Sequence, residues 1–402
     1  MVTTDLKFNF RDIFRIPRIA LSGKKIFVFI QGNLFGFIVY WIFSYASLLM
    51  SGLSLPEALG KYGLYPCLFG KSADWYVWMM YYIGIFIWIA TLFLCSTTVS
   101  RITLKQLKGN DFFSASDAWS YTKAHWHAVI LSPIAILIII IIFVTIAGFF
   151  ALLSYIPVIG ELFFSLLYLL YFFGAVFTLY TFFVLTVSLI YTPSIVGVYE
   201  EDTMGAVFHS YSIAFGQNWR IFFYHLILIP LTIIGIELFS WFSTNSIGFI
   251  NYVFGFEIFN SPKLVNISNY AFNLVYPDWF LDAIFYFRDY IYSALYINYE
   301  LPQLFSISTN ALTNIDLSFS ESLAGIILAL SYFLIGLSVI SYGFSIIAVA
   351  ETIMFIIFKK ISDDDNLLNR SDEEDIEEGE DSEILDVNDI EDQRGFDYNN
   401  QT

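Results

Sequence analysis

Six long apolar runs constrain the fold of this chain more than any other feature of its sequence. A run of about 20 apolar residues is long enough to cross a hydrocarbon core of about 30 Å as a helix. The runs predict an all-α fold, a polytopic helical membrane protein with about six transmembrane helices. The fourth and sixth are longer than a span requires, which predicts that they tilt, kink or project beyond the bilayer. The predicted spans are 26–50, 75–97, 127–152, 162–191, 221–243 and 323–358.

Composition supports the membrane class and isolates one polar segment. The 402 residues are 57% hydrophobic and only 14% charged, and the mean hydropathy is +0.67. Of the 36 acidic residues, 17 fall in 363–402 together with 2 of the 19 basic ones, so 19 acidic and 17 basic residues remain for the body. Residues 361–402 are therefore predicted to be a disordered acidic cytoplasmic tail. Such a tail suits a basic protein partner and disfavours nucleic acid.

The distribution of Lys and Arg predicts the orientation. Basic residues occur before the first apolar run, between the second and third, before the fifth and after the sixth, which are all segments on one side of a six-span protein. The positive-inside rule assigns that side to the cytoplasm. Both termini are therefore predicted to be cytoplasmic, and the lipid bilayer is predicted to be a bacterial cytoplasmic (cell) membrane. The basic residues are Lys7, Arg11, Arg15, Arg18, Lys24, Lys25, Arg101, Lys105, Lys108, Lys123, Arg220, Lys359 and Lys360.

A short amphipathic segment precedes each of three pairs of spans on the predicted cytoplasmic side. The first, 7–21, lies in a basic N-terminal region, 1–25; the others are 115–127 and 204–225. Each is predicted to be a helix on the membrane surface. Trp126, Trp219 and Arg220 stand directly before or at the start of a span and are predicted to be interfacial anchors. In the third segment the predicted apolar stripe consists of Met204, Val207, Phe208, Tyr211, Ala214, Phe215 and Trp219.

An aromatic segment, 244–321, is predicted to lie on the outer side between the last two spans. Within it, 277–296 has the pattern of an interfacial helix, with an apolar stripe opposite Asp282 and Asp289. The flanking residues contain prolines and are predicted to be loop.

Ionisable residues inside the spans are few, and such residues are the usual markers of a functional site in a membrane protein. His225 and Glu351 lie at similar shallow depth on the cytoplasmic side and are predicted to form an intramembrane polar pair. The pair could tie two spans together, or it could be a proton-linked or cation-coordinating site.

No catalytic, cofactor-binding or metal-binding residues are predicted. His125 and His127 are two residues apart, which would place them about 200° apart on a helix and not on one metal ion. The hydroxyl residues of the spans have no histidine or aspartate arranged as their base, and no glycine-rich phosphate loop is present. The sequence therefore predicts that the protein is not an enzyme.

Residues 191–230 carry a pattern found in bacterial polytopic membrane proteins. A span reaches a proline, a short acidic turn follows, and an amphipathic helix leads through Asn-Trp into the next span. The pattern resembles the membrane domain attached to some glycerophosphodiester phosphodiesterases and related membrane domains of unknown function. The resemblance implies a helical membrane fold and no activity, because the catalytic residues of those enzymes belong to a separate soluble domain. The matching residues are Pro193, Ala206, Ser210, Asn218 and Trp219, with a weaker echo at 114–133.

Two functions fit these features. The scarcity of ionisable residues in the spans, the surface helices and the acidic tail favour a non-enzymatic scaffold or accessory subunit of a membrane complex. The alternative is a transporter, channel or scramblase for an apolar or lipid-like substrate, whose path would need few charges.

Overall fold

A computed structural model of the chain describes residues 6–70, 72–153, 155–254, 261–295, 302, 304 and 317–370. These residues form helices and connecting loops and contain no strand, which confirms the predicted all-α class. The elements are a 3₁₀ helix (Phe10–Arg15), α1 (Ile16–Ala20), α2 (Gly23–Met50), α3 (Leu55–Tyr62), α4 (Trp75–Leu107), α5 (Ala115–Ala124), α6 (Trp126–Leu153), α7 (Ile159–Leu166), α8 (Tyr168–Tyr199), α9 (Thr203–Gly216), α10 (Asn218–Phe254), α11 (Ser261–Val275), α12 (Asp278–Ala294) and α13 (Phe319–Asp363).

Six of these helices, α2, α4, α6, α8, α10 and α13, are long and apolar enough to cross a membrane. The chain is therefore a multi-pass integral membrane protein. Its spans differ from the predicted ones in detail. The run 162–191 is not one helix, because α7 ends at Leu166 and α8 begins at Tyr168 and continues to Tyr199. The second span also continues beyond the apolar run, to Leu107.

Successive spans run in opposite directions, so the short helices that connect them lie at the two ends of the bundle. The 3₁₀ helix, α1, α5, α9 and residues 364–370 lie at the end where the described chain begins and finishes, which we call the terminal face. The helices α3, α7, α11 and α12 lie toward the other end, the opposite face. The predicted cytoplasmic segments all belong to the terminal face.

The core lies at the terminal face, around the last part of α13. Every residue from Ala348 to Lys359 is buried. A helix that is buried on all sides must be surrounded by other helices, and here α1, α2, α4, α8 and α10 pack around α13.

The amphipathic segments of the terminal face are helical, but their buried faces differ from the predicted stripes. In α9, Ala206, Val207 and Ser210 are buried, whereas Phe208 and Phe215 are 67% and 81% exposed. The structure divides the predicted stripe between two faces of the helix. Val207 and Ala214 pack on the bundle, whereas Phe208 and Phe215 are exposed. The segment is also not continuous with the fifth span, since α9 ends at Gly216 and α10 begins at Asn218.

The opposite face contains a helix where the sequence predicted loop. Helix α11 packs along α13, and its Ala271 and Val275 are buried in a cluster with Ala329 and Tyr332. The proline at position 262 is the second residue of α11, a position where a helix tolerates proline because the first N–H groups have no intrahelical partner.

Helix α12 agrees closely with the predicted interfacial helix 277–296. It has no buried residue over its whole length. Its start is held by Phe280, whose ring stacks on Tyr65 at 4.1 Å. Within the predicted aromatic segment 244–321, four stretches lie outside the described residues: 255–260, 296–301, 303 and 305–316.

The first part of the predicted disordered tail, 361–370, is folded, so the prediction was wrong for these residues. Residues up to Asp363 continue α13, and 364–370 fold against the terminal face, where Leu367 is 2% exposed. The rest of the predicted tail, 371–402, lies outside the described residues.

Helices α4 and α8 approach each other closely at Gly197. A Cβ atom at this position would lie 2.9 Å from the Thr97 carbonyl oxygen and 2.9 Å from Ser100 Cβ. Backbone cannot move aside as a flexible side chain can, so this glycine fixes the spacing of the two helices.

We expect Gly197→Ala to lower the free energy of unfolding by about 1–3 kcal/mol, the usual effect of overpacking a core. Thermal unfolding in detergent, followed by fluorescence-detected size exclusion, measures the change. Gly174→Ala is the matched control in the same helix, because a Cβ there has no neighbour within 4 Å. Equal melting temperatures for the two variants would contradict the close approach.

Candidate functional site

A buried cluster of hydroxyl groups joins three spans at the terminal face. Thr352 of α13 donates to Ser100 Oγ of α4 at 2.8 Å, and Ser100 Oγ lies 3.4 Å from Ser194 Oγ of α8. Thr352 also bonds the Ala348 carbonyl at 2.7 Å. The groups bond to one another and to helix backbone, which is the pattern of an interhelical contact in a membrane protein and not that of a nucleophile activated by a base.

An ion pair lies next to this cluster. The Arg101 side chain is fully buried, and its Nη2 atom is 2.7 Å from Glu200 Oε1 at the end of α8. The guanidinium also lies over the Tyr121 ring of α5, 4.3 Å from the ring centroid. Tyr121 in turn donates to the Val196 carbonyl at 2.6 Å. Arg101 therefore ties α4, α5 and α8 together.

From the sequence, Arg101 was identified only as one of the basic residues that predict the orientation of the spans in the membrane. Its burial follows from the continuation of α4 beyond the apolar run, which carries Arg101 into the core with Thr97, Thr98 and Ser100. The run of small hydroxyl residues before Arg101 was the signal for a packed, polar helix end.

Residues 364–370 form a short strap across the ends of α8 and α4. Tyr199 donates to Asp365 Oδ2 at 2.8 Å, and the Arg370 guanidinium lies 4.7 Å from the centroid of the Tyr199 ring. Lys108 Nζ donates to the Arg370 carbonyl at 2.7 Å. The acidic segment 371–402 therefore begins from a fixed point beside the basic end of α4.

His209 of α9 lies beside this strap. Its Nε2 atom is 3.2 Å from Glu201 Oε1, and its ring is 4.8 Å from the Tyr199 ring. Burial, with a smaller contribution from the positive charge of Lys359, lowers the pKa of His209 below its usual value despite the neighbouring Glu201. The imidazole is therefore favoured in its neutral form, as a packed ring with one polar contact.

The structure places His225 beside Tyr191 of α8 and buries Glu351 within α13. The His225 ring meets the Tyr191 ring edge to face at 5.9 Å, and Glu351 is 8% exposed. His225 Nδ1 is 2.8 Å from the Ile221 carbonyl. Among the hydrogen bonds and ion pairs of the described residues, none joins His225 directly to Glu351, so their coupling stays a prediction.

The predicted anchors lie at the starts of α6 and α10, and the side chains of Trp126 and Trp219 are 52% and 55% exposed. The Arg220 guanidinium lies 4.7 Å from the centroid of the Trp219 ring. An exposed aromatic ring with a paired cation at a span end fits the interface between lipid and water.

A cavity of about 60 Å³ lies between the start of α2 and the loop that joins α4 to α5. The cavity was not predictable from the sequence, because its residues come from segments about 80 positions apart. It is lined by Ser22, Lys24, Ile102, Gln106, Asn110, Asp111 and Phe113.

No protein-family model, curated protein or solved structure matches this chain. The six apolar helices and the polar core at one end define it as a helical, multi-pass integral membrane protein. The resemblance to the membrane domains associated with glycerophosphodiester phosphodiesterases stays a prediction.

We expect Arg101→Met to lower the free energy of unfolding by about 3 kcal/mol, the lower end of the effect of breaking a buried ion pair, because it removes a fully buried guanidinium that pairs with a partly exposed Glu200. The double variant Arg101→Met, Glu200→Leu should recover most of that loss, since an apolar pair of similar size needs no ion partner. Chemical denaturation in detergent micelles measures both values.

Arg288→Met is the control, because Arg288 and Asp289 form an exposed pair and its loss should change the free energy by less than about 1 kcal/mol. A double variant as unstable as Arg101→Met would show that the ion pair is not the cause.

Glu351→Gln should leave the melting temperature unchanged or raise it, because an amide costs less to bury than a carboxylate. His225→Gln and the double variant complete the comparison. A coupling energy above about 0.5 kcal/mol supports the predicted pair, and strictly additive changes count against it. Glu237→Gln, at a half-buried position in α10, is the control.

Proposed function

We propose that this protein is a non-enzymatic scaffold or accessory subunit of a membrane complex, and that it binds a transmembrane helix of a partner protein through α6 and α8. The proposal rests mainly on one observation. In the described part of the chain, half of this helical pair has only the short helix α7 beside it and no further span.

The part without a further span beside it consists of 137–179, which we call the blade; the next residue, Tyr180, already contacts α9. Among the described residues of the blade only Gly160 is buried. The blade is also strongly apolar, since the best 18-residue window of α6 has a mean hydropathy of 3.2. Over this segment α6 and α8 contact each other and α7, and their exposed apolar surface is suited to the bilayer.

Two glycines in the blade distinguish a protein-binding surface from one that only faces lipid. A Cβ added at Gly148 of α6 or Gly174 of α8 would meet nothing within 4 Å. Glycine in the middle of a helix costs up to about 1 kcal/mol relative to alanine. Small residues are enriched where two transmembrane helices approach closely. The blade therefore has the features of a helix-docking surface that this chain does not itself fill.

The terminal face supports the same function. Its basic residues suit the cytoplasmic side. The strap ends at Arg370 on this face, and the acidic segment 371–402 that follows it in the sequence suits a basic partner surface. With both termini in the cytoplasm, the protein would contact partners both in the bilayer and beside it.

A photo-crosslinking amino acid at Phe173 tests the blade. Phe173 is 61% exposed and precedes Gly174. We expect light to join it to another membrane protein in native membranes, and we expect Gly174→Leu to abolish that product while the melting temperature stays unchanged. Mass spectrometry of the product identifies the partner.

Phe35 in α2, which is 56% exposed, is the matched control and should give lipid products only. Truncation after Arg370 should weaken co-purification of the partner without unfolding the spans. If Phe173 gives lipid products and no protein product, the scaffold function is contradicted. If the protein product is a second copy of this chain, the complex is a homo-oligomer and not a complex with another protein.

The alternative function is tested with the purified protein in liposomes. Under the scaffold proposal, lipid scrambling is as slow as in empty liposomes. Scrambling that is faster, and that Gly174→Leu does not change, would favour the transporter or scramblase function instead.

A further inference from the structure

We propose that residues 7–21, which we call the N-terminal hook, bind anionic phospholipids in the leaflet at the terminal face. The hook contains the 3₁₀ helix and α1, and it leads directly into α2, the first span. Its outer surface combines basic and large apolar side chains. The exposed or partly exposed residues that form this surface are Lys7, Phe10, Arg11, Phe14, Arg15, Arg18 and Leu21.

The inner side of the hook is fixed to the bundle. Helices α10 and α13 pack against it, and its Ile13 and Ile16 are fully buried. Lys25, at the start of α2, donates through Nζ to the Ile19 carbonyl at 3.1 Å and to Gln106 Oε1 at 2.8 Å. The outer side chains are therefore carried by a backbone that is already ordered, which lowers the entropic cost of binding a ligand.

The outer surface of the hook is positively charged. Asp12 is the one acidic residue of the hook, and it is fully buried, where its carboxylate accepts the backbone N–H groups of Lys7 and Asn9 at 3.2 Å each. Among the described residues, none forms an ion pair or a side-chain hydrogen bond with Arg11 or Arg18. These two arginines therefore carry charge that the hook does not neutralise.

The helices packed against the hook do not neutralise this charge either. The adjacent start of α10, 218–232, contains Arg220 and His225 but no acidic residue. In α13, Glu351 is the one acidic residue between positions 340 and 362, and it is buried. The positive potential of the outer surface therefore persists and attracts anions.

The exposed apolar side chains favour a lipid over the acidic segment 371–402 of the same chain. Phe10, Phe14 and Leu21 are 49%, 60% and 55% exposed, and they alternate with the arginines along the hook. An acidic segment would need only the cations. Interleaved basic and apolar side chains instead suit the boundary between headgroups and acyl chains, and basic clusters beside the cytoplasmic end of a span are typical of binding to anionic lipids.

Photo-crosslinking in liposomes of defined composition tests the proposal. The full chain, with a photo-reactive amino acid at Phe14, is reconstituted with equal amounts of phosphatidylglycerol and phosphatidylcholine, and the crosslinked lipid is identified by mass spectrometry. We expect phosphatidylglycerol in excess. The double variant Arg11→Gln, Arg18→Gln should reduce that excess by about fivefold for each charge removed.

Two controls separate this result from unfolding and from general contact with lipid. The melting temperature of the double variant should be unchanged, because neither arginine pairs with a described residue. A photo-reactive residue at Phe35, within the first span, should give the two lipids in equal amounts. Arg288→Gln, which removes a charge at the opposite face, should leave the ratio at Phe14 unchanged.

Three outcomes would overturn the proposal. The first is equal amounts of the two lipids at Phe14. The second is an excess of phosphatidylglycerol that the double variant does not reduce. The third is a crosslink from Phe14 to residues 371–402 in place of a lipid product, which would assign the outer surface of the hook to the acidic segment of the chain.

Discussion

The complete burial of residues 348–359 of α13 is the constraint on which the rest of this structure depends. A helical segment that is buried on every face needs neighbouring helices on every side, and here these neighbours come from both halves of the chain. Tyr342 donates to the Pro17 carbonyl at 3.1 Å, and Ser345 donates to the Ala20 carbonyl at 2.9 Å. The short N-terminal helices are therefore part of the core, even though their sequence resembles that of surface segments.

Polar side chains make the helix contacts specific. Asn33 of α2 donates to Ser341 Oγ at 3.4 Å and accepts from Trp88 Nε1 at 3.3 Å, which joins three spans near the middle of the bundle. Apolar packing alone distinguishes poorly between a lipid chain and a leucine side chain. Buried hydroxyl, amide and charged groups, by contrast, have few arrangements that satisfy them. In this chain the same physics accounts for Arg101 and for Lys25, each of which is held by named partners.

The sequence predicted the features that depend on local hydrophobicity and missed those that depend on tertiary contact. The six spans were predictable because length and apolarity alone decide them. The break at Leu167 was not, because the residues on both sides are equally apolar. Helix α11 becomes evident only through its packing on α13. The division of the α9 stripe was not predictable either, because bilayer and protein interior both accept apolar side chains, and periodicity cannot say which of the two a phenylalanine such as Phe208 will face. The cavity at Lys24 required two distant segments to meet.

The position of α13 in the chain has a consequence for biosynthesis. Helix α13 follows the other five described spans in the chain, so those five are synthesised before their common neighbour exists. Until then Lys25, Arg101 and the hydroxyl groups of α4 and α8 face an incomplete bundle, which is the kind of exposed intermediate that is prone to misassembly. Native contacts between residues more than 300 positions apart, such as Asn33 with Ser341, form only after α13 has been synthesised. The native packing of the earlier spans therefore waits for this helix.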